Sequence, residues 1–371
     1  MKPSRTLARE QGAMLITMSL LFIPLLGLLA LVVDVGHLMI VRNELQNAAD
    51  AAALAGANCL PRASAPSGTD CSSSLRASLN WTMAGIKASN TVGLNRSDGV
   101  PLVYGAVLTG YKNLHGDPPG LQVISLNPIA ADDRPAVMVR ISRVTGINGG
   151  PVQTLLPGLH GGAAVSISVT ALALLPAPGK VLAGSLMPQL INKCLFDLYW
   201  DQNSRSPQLA TSASLNGVTQ VIGQAWKLRL GSAYRYANCD SGQWTSFASD
   251  ASGTVSFSTL IADGNPTSLG VGELIWIEPD ADTALYGNLS ARYPTPAGAD
   301  VILPVVDAPD GLNSRGQTAI VGFAGFHIDA IQAGSDHYVQ GHFVNVAMAM
   351  AAGASGTGPF YGSYTPARLV Q

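Results

Sequence analysis

The most constraining feature of the sequence lies in residues 9–57, where an uncharged apolar run leads directly into an alanine-rich segment. Residues 13–33 carry no charge and are numerous enough to cross a hydrocarbon core of about 30 Å. Residues 34–57 are more polar, but their apolar and small residues recur at steps of three and four, the spacing of one helix face. We therefore predict one continuous helix, half in lipid and half outside it.

The charges that flank the apolar run predict its orientation. Lys2, Arg5 and Arg9 precede it, and Asp34, which we expect at the membrane–water boundary rather than buried, is the first charge after it. The positive-inside rule then places residues 1–12 in the cytoplasm and the bulk of the chain outside. A cleaved signal peptide is the alternative, but the run is longer than a typical signal core and no small-x-small site follows it directly.

The cysteines are consistent with export of the chain after the apolar run out of the cytoplasm. There are four, at Cys59, Cys71, Cys194 and Cys239, without a CxxC pair. In an oxidising compartment they are able to form two disulfides, and pairing of neighbours along the chain is the simplest of the possible connectivities. Each bridge would contribute about 2–4 kcal/mol by restricting the unfolded chain. Four buried free thiols are the alternative.

Composition favours short strands and turns after the helix. Hydrophobic residues make up 47% and charged residues only 12% of 371 residues, with 40 glycines and 23 prolines. The net charge is −2 and no long basic run is present, so the sequence excludes the electrostatic footprint of a nucleic-acid-binding protein.

The pattern along the rest of the chain predicts an α+β fold. A helix within 72–89, a short helix and turn at 151–162, and strands form an α+β domain with an antiparallel sheet over residues 58–176. Paired prolines at 176 and 178 mark a boundary, and residues 177–371 form a mainly β domain with a loose tail after Ala351. The predicted strands are 100–108, 121–126, 136–144, 163–175, 225–230, 253–260, 274–277, 299–306, 318–328 and 337–350.

A search for catalytic groups finds none that the sequence supports. HExxH, GxSxG, P-loop and GxGxxG motifs are missing from the sequence. His327 and Asp329 would share one face of a strand without forming a base and its orienting partner. We predict no catalytic residue, no cofactor and no metal site.

The first 57 residues resemble the N-terminus of the TadE/TadG-like proteins of tight-adherence (Tad, or Flp) pilus assembly systems. The matching residues are Gly12, the Asp34–His37 sequence DVGH, and the sequence RNELQNAADAAALA at 42–55. The strand at 165–173 after a Pro-Gly turn resembles the end of the first exported region of the larger, TadG-like members.

This resemblance implies a structural role. The chain would be a single-pass inner-membrane component that supports pilus assembly through contacts with pilus or secretion-system proteins, its body being periplasmic or at the cell surface. Prepilin peptidases cut after a glycine, which makes Gly12 a candidate processing site. They favour glutamate at the fifth mature position, where this chain has Thr17, so we expect a retained anchor. A surface adhesin acting through the C-terminal β domain is the alternative, and a periplasmic hydrolase is the third.

Two further expectations follow from the resemblance. Some relatives carry an Asp-x-Ser-x-Ser metal motif, whose only approximation here is the turn-like sequence at Asp250–Thr254. Small side chains in the second half of the helix form a surface with two alternative roles: it packs against other pilin-like helices, including those of a homo-oligomer, or it simply favours helix formation. These packing candidates are Leu45, Ala48, Ala49, Ala52, Ala53 and Gly56.

Overall fold

The computed structural model opens with one continuous helix, α1 (Leu7–Cys59), of 53 residues. At 1.5 Å per residue it extends about 80 Å, and Pro24 lies inside it without ending it. The predicted continuous helix is confirmed. The structure describes residues 7–75, 78–126, 129–130, 132–154, 164–249, 257–279, 284–294, 298–347, 356 and 358–370.

The remaining elements are short helices among many strands, so the fold is α+β as predicted. The other helices are α2 (Trp81–Val92), α3 (Lys193–Tyr199), α4 (Phe257–Asp263) and α5 (Leu285–Arg292). Strands before residue 176 are β1 (Arg62–Ser64), β2 (Cys71–Leu75), β3 (Arg96–Ser97), β4 (Val100–Pro101), β5 (Ala106–Asn113), β6 (Leu121–Gln122), β7 (Asp133–Arg143), β8 (Val152–Gln153), β9 (Ala164–Val165) and β10 (Ile167–Leu174). Later strands are β11 (Lys180–Val181), β12 (Gln189–Asn192), β13 (Trp200–Asp201), β14 (Ser206–Pro207), β15 (Ser214–Leu215), β16 (Val218–Thr219), β17 (Leu228–Leu230), β18 (Arg235–Tyr236), β19 (Cys239–Asp240), β20 (Gly242–Trp244), β21 (Leu269–Gly270), β22 (Leu274–Ile277), β23 (Ala299–Val306), β24 (Gly316–Gln332), β25 (Tyr338–Phe343), β26 (Val346–Ala347), β27 (Ser363–Tyr364) and β28 (Arg368–Val370).

The chain divides into two compact units, each built from several segments. The first unit comprises Met1–Ala53, Ala88–Val107 and Met138–Ala171, and the second comprises Leu54–Lys87, Leu108–Val137 and Leu172–Gln371. The predicted domain boundary at 176/177 falls inside the last segment of the second unit. A division of domains at that point stays a prediction.

A five-stranded sheet has the order β28-β10-β7-β5-β6 and includes the very end of the chain. Strand β28 pairs antiparallel with β10, Leu172 lying opposite Val370. The prediction of a loose tail after Ala351 is therefore wrong for its last residues. These residues form a strand because β10, nearly two hundred residues earlier in the chain, pairs with them. This pairing makes β28 the edge strand of the sheet.

Buried arginines also hold the tail within the second unit. Arg134 donates from Nη2 to the carbonyl oxygen of Gly358 at 2.7 Å, and the guanidinium of Arg205 lies 4.8 Å from the centre of the Phe360 ring. Burial lowers the pKa of Arg134 to about 10, with the neighbouring Arg205 charge adding to the effect. Tyr364 is fully buried. Residues 360–365 of the tail are thus buried.

The larger sheet of the second unit has the order β17-β25-β24-β23-β12-β20, and β22 also pairs with β24. Its pairs are antiparallel except β12 with β23, which are parallel. The predicted strands at 274–277 and 299–306 coincide with β22 and β23. One face packs into a core of aliphatic and phenylalanine side chains that includes Leu190, Ile275 and Phe323.

Two predicted elements differ from the structure. The helix expected within 72–89 begins only at Trp81, because Cys71–Leu75 pairs as a strand with β1 and Asn80 caps the helix, its Oδ1 accepting from the Met83 N–H at 3.3 Å. The strand expected at 253–260 is helix α4 from Phe257 onward. Its buried Leu260 and Ile261 lie three and four residues after Phe257. This is the spacing of a helix face, whereas the expected strand would need apolar residues at every second position. Most of the short helix expected at 151–162 lies outside the described residues.

Candidate functional site

The first half of α1 exposes large apolar side chains along its length. Leu29 has 65% and Val32 has 70% of its surface exposed, and the other large described side chains from Met14 to Val33 are mostly exposed as well. Such a surface is unfavourable in water and favourable in hydrocarbon. Within the described residues, α1 is the one helix long and apolar enough to cross a membrane. Gly12, the candidate processing site, lies within this helix.

The second half of α1 is packed. Val41, Leu45, Ala49 and Ala52 follow one another at helical spacing and are fully buried, whereas Ala51 on the opposite face is exposed. All six packing candidates, Leu45, Ala48, Ala49, Ala52, Ala53 and Gly56, are buried within the chain itself. The four alanines and the glycine among them are small enough to let other parts of the same chain approach the helix backbone closely. Packing of this surface against a second helix stays a prediction.

The point where the two halves meet is also covered. Asp34, expected at the membrane–water boundary rather than buried, has only 2% of its surface exposed. The expectation that it is not buried was wrong, because that expectation considered the helix alone. Its position at a membrane–water boundary stays a prediction.

A tight hairpin docks on the helix next to this point. Strands β3 and β4 are joined by Asp98 and Gly99, whose φ angles of +53° and +71° are those of a type I′ turn. The Asp98 carboxylate lies 2.9 Å from His37 Nε2, and its backbone N–H donates to Glu44 Oε2 at 2.6 Å. Two helix side chains therefore hold the tip of the hairpin.

Arg143 completes this contact from β7. Its Nη1 lies 3.2 Å from Asp98 Oδ2, and its side chain is only 4% exposed. The hydrogen bond with His37, supported by Arg143, holds the pKa of Asp98 below its usual value against the opposing effect of burial. The sequence analysis missed this contact, although Ser-Asp-Gly-Val at 97–100 is a strong hairpin signal.

The cysteines form two disulfides. Cys59, the last residue of α1, is bonded to Cys71, and Cys194 is bonded to Cys239, with Cα–Cα distances of 5.7 and 5.9 Å. This is the neighbour pairing named above. The first bridge ties the end of the helix to strand β2, and the second ties α3 to strand β19.

Two histidines of the larger sheet lie within hydrogen-bonding distance of carboxylates on neighbouring strands. His327 Nδ1 lies 2.7 Å from Asp300 on β23, and His342 Nδ1 lies 3.2 Å from Asp329. His327 and Asp329 therefore have different partners. Burial alone would raise the pKa of Asp329, but the hydrogen bond from His342 and the nearby positive charges hold it below its usual value, Lys227 being 3.9 Å away.

Metal-ligand groups come together at one place in the described chain, Cys59, Asp70 and Cys71, where both cysteines are already in a disulfide. Lys87 also pairs with Asp70 at 2.8 Å. The Asp250–Thr254 sequence lies outside the described residues.

Comparison with known proteins identifies the helix. Residues 12–58 match the model of the TadE/G-like Flp pilus-assembly family. This segment is TadE/G-like. The match begins and ends inside α1, so the similarity lies entirely in the helix that spans from the exposed half to the packed half.

The match to this segment supports a component of a Tad pilus-assembly system, and the long apolar helix that carries it suggests membrane anchoring. No curated protein and no solved structure shows significant similarity to the chain.

Proposed function

We propose that this protein is a structural component of a Tad-type pilus assembly machine, held in the inner membrane by residues 13–33 and acting through protein contacts rather than catalysis. The observation that carries the proposal is the coincidence of the TadE/G-like match with a helix whose first half is exposed and apolar and whose second half is packed. A soluble enzyme has no use for the first half, because exposed apolar surface of that extent favours association or membrane insertion.

The proposed orientation has the N-terminus in the cytoplasm and the body in the periplasm. The basic residues Lys2, Arg5 and Arg9 before the span support it. The two disulfides support it as well, since such bonds persist in oxidising compartments outside the cytoplasm. Thr17 at the fifth position after Gly12 favours a helix that is retained rather than processed.

Contacts with other pilus components would use surfaces that this chain leaves open. Because the six packing candidates are covered by the chain itself, a pilin-like helix of another subunit would meet the exposed side chains of residues 14–33 in the membrane. Homo-oligomers would form through the same surface. Pro24 and Gly27 would let a neighbouring helix approach there.

Fractionation of cells that make the full chain tests the anchor. We expect the intact N-terminus, measured by mass analysis, in the inner-membrane fraction after carbonate washing. Recovery of a chain that begins at Ala13 in sheared fibres would show a processed pilin instead.

Deletion of the gene, with restoration of the whole chain as the control, tests the role. Loss of sheared fibres supports assembly, whereas intact fibres with lost surface adhesion would favour the adhesin. Truncation after residue 179 is a poor substitute, because it removes the strand β28 that completes the sheet beside β10.

A further inference from the structure

A groove opens in the first unit just beyond the membrane span. Val35, Leu38, Met39 and Arg42 of α1 form one wall, and the strand segment 165–168 forms the other, around a volume of about 460 Å³. A hydrogen bond from Gln46 Nε2 to the Thr170 carbonyl oxygen, at 3.4 Å, joins the same helix and strand just above it. The groove is thus built from two fixed elements.

Its distance from the span places it at the level of lipid headgroups. Val35 follows Val33, the last residue of the span, by about 3 Å along the helix axis, and Arg42 follows it by about 13 Å. The headgroup layer on each side of a bilayer is about 5–7 Å thick. Side chains on a helix lean toward its N-terminus, here toward the bilayer, so the long Arg42 side chain reaches back into that layer.

Exposed apolar side chains continue past the span on this helix. Met39 has 63% and Ile40 has 58% of its surface exposed, although both follow the buried Asp34. In water these side chains have no favourable environment. At the membrane interface they would contact the upper part of lipid chains.

The polar side of the groove is positively charged. Arg42 is exposed and lines the groove. Arg140 is also exposed and donates from Nε to Oγ of the lining residue Ser168 at 2.9 Å, so a second cation lies next to the groove. None of the lining residues is acidic, and neither arginine has a carboxylate partner among the described residues. Ser166 and Ser168 also line the groove, and the Ser168 hydroxyl lies within hydrogen-bonding distance of both Arg140 and, at 2.8 Å, Ser142.

We infer that this groove binds an anionic glycerophospholipid. Arg42 and Arg140 hold its phosphodiester, with the serine hydroxyls beside them, and the acyl chain lies along Val35, Leu38 and Met39. The inference rests on the proposed membrane anchoring. A second protein helix fits less well, because a helix would leave two unpaired arginines at its interface, whereas a phosphate satisfies both.

The test uses the full chain in phosphatidylcholine nanodiscs that contain phosphatidylglycerol with a photoactivatable group on its headgroup. We expect crosslinks in peptides that contain residues 35–42 and 165–168. Arg42→Gln and Arg140→Gln should each lower the crosslinked fraction about fivefold, the effect of one basic side chain at an anionic surface. Arg96→Gln removes an equally exposed positive charge that does not line the groove and should leave the crosslinked fraction unchanged.

Four results would overturn the inference. Crosslinks elsewhere on the chain, or equal losses in all three variants, would remove the site while leaving membrane anchoring intact. Equal yield from a phosphatidylcholine probe would remove the preference for anionic lipid. Release of the wild-type chain from membranes by carbonate would instead refute the anchor and the site with it. Unchanged thermal unfolding of the variants shows that the losses do not come from misfolding.

Discussion

In the first half of α1, large side chains such as Leu29 lie exposed, whereas in the second half Leu45 and a row of alanines are fully buried. Both halves belong to one unbroken helix and to one TadE/G-like match. The difference lies in what surrounds them. Lipid covers the first half in the proposed function, and the chain's own strands and loops cover the second.

This comparison shows that a family signature can combine two requirements. In the first half the requirement is apolar character, which many side chains satisfy, because dispersion contacts with lipid are not specific. In the second half it is small size at fixed spacing, because close-packed interiors tolerate little change in volume. The unusual sequence at 42–55 therefore reflects internal packing at least as much as assembly.

Replacing a leucine by alanine in each half of α1 should give the largest difference in the free energy of unfolding. Leu45→Ala leaves a cavity in a fully buried site and should lower the free energy of unfolding by about 2–5 kcal/mol. Leu29→Ala changes an exposed side chain and should shift it by no more than about 0.5 kcal/mol. Urea unfolding in detergent micelles, followed by tryptophan fluorescence, measures both. Equal losses would mean that the two halves do not differ in packing.

Enlarging an alanine on either face of the second half sharpens the comparison. Ala52→Leu overfills a fully buried position and should cost about 1–3 kcal/mol of stability. Ala51→Leu is the matched control on the exposed face, where leucine and alanine have similar helix propensity, and it should be nearly neutral. The same unfolding measurement applies. Should Ala52→Leu prove as stable as its control, the small-residue surface would be open to a partner helix after all.

The helix was predictable from sequence because its evidence is local. Continuous apolar character, helical spacing and the family resemblance all fall within residues 9–57, and the strands at 274–277 and 299–306 follow equally local patterns. In contrast, β28 becomes a strand through pairing with β10, which lies nearly two hundred residues earlier in the chain. Such tertiary effects override local propensity.

The candidate site was also predictable only where its sequence signals are local. The sequence identified the span and the small-residue surface, but not that the chain itself would cover that surface. The groove brings together Arg42 of α1 and Ser168, whose Oγ accepts a hydrogen bond from Arg140; these residues lie far apart in the chain and carry no motif. Only the hairpin at Asp98 and Gly99 had a signal that was available and went unused.

A substitution in that hairpin, at the junction of the two halves of α1, should give the smallest change in the free energy of unfolding. Because contacts with His37 and Arg143 hold the pKa of Asp98 below its unfolded value of about 3.8, its carboxylate stabilises the fold above that pH. The contribution is lost as the pH falls through the lower, folded value. Asp98→Asn keeps the turn, since Asn-Gly also favours type I′ geometry, but removes the charge. It should lower stability at neutral pH by about 0.2–1 kcal/mol, as for a partly exposed ion pair. Urea unfolding from neutral pH to below pH 3.8 should show the two proteins converging in acid, and a constant difference would place the effect in the turn rather than in the charge.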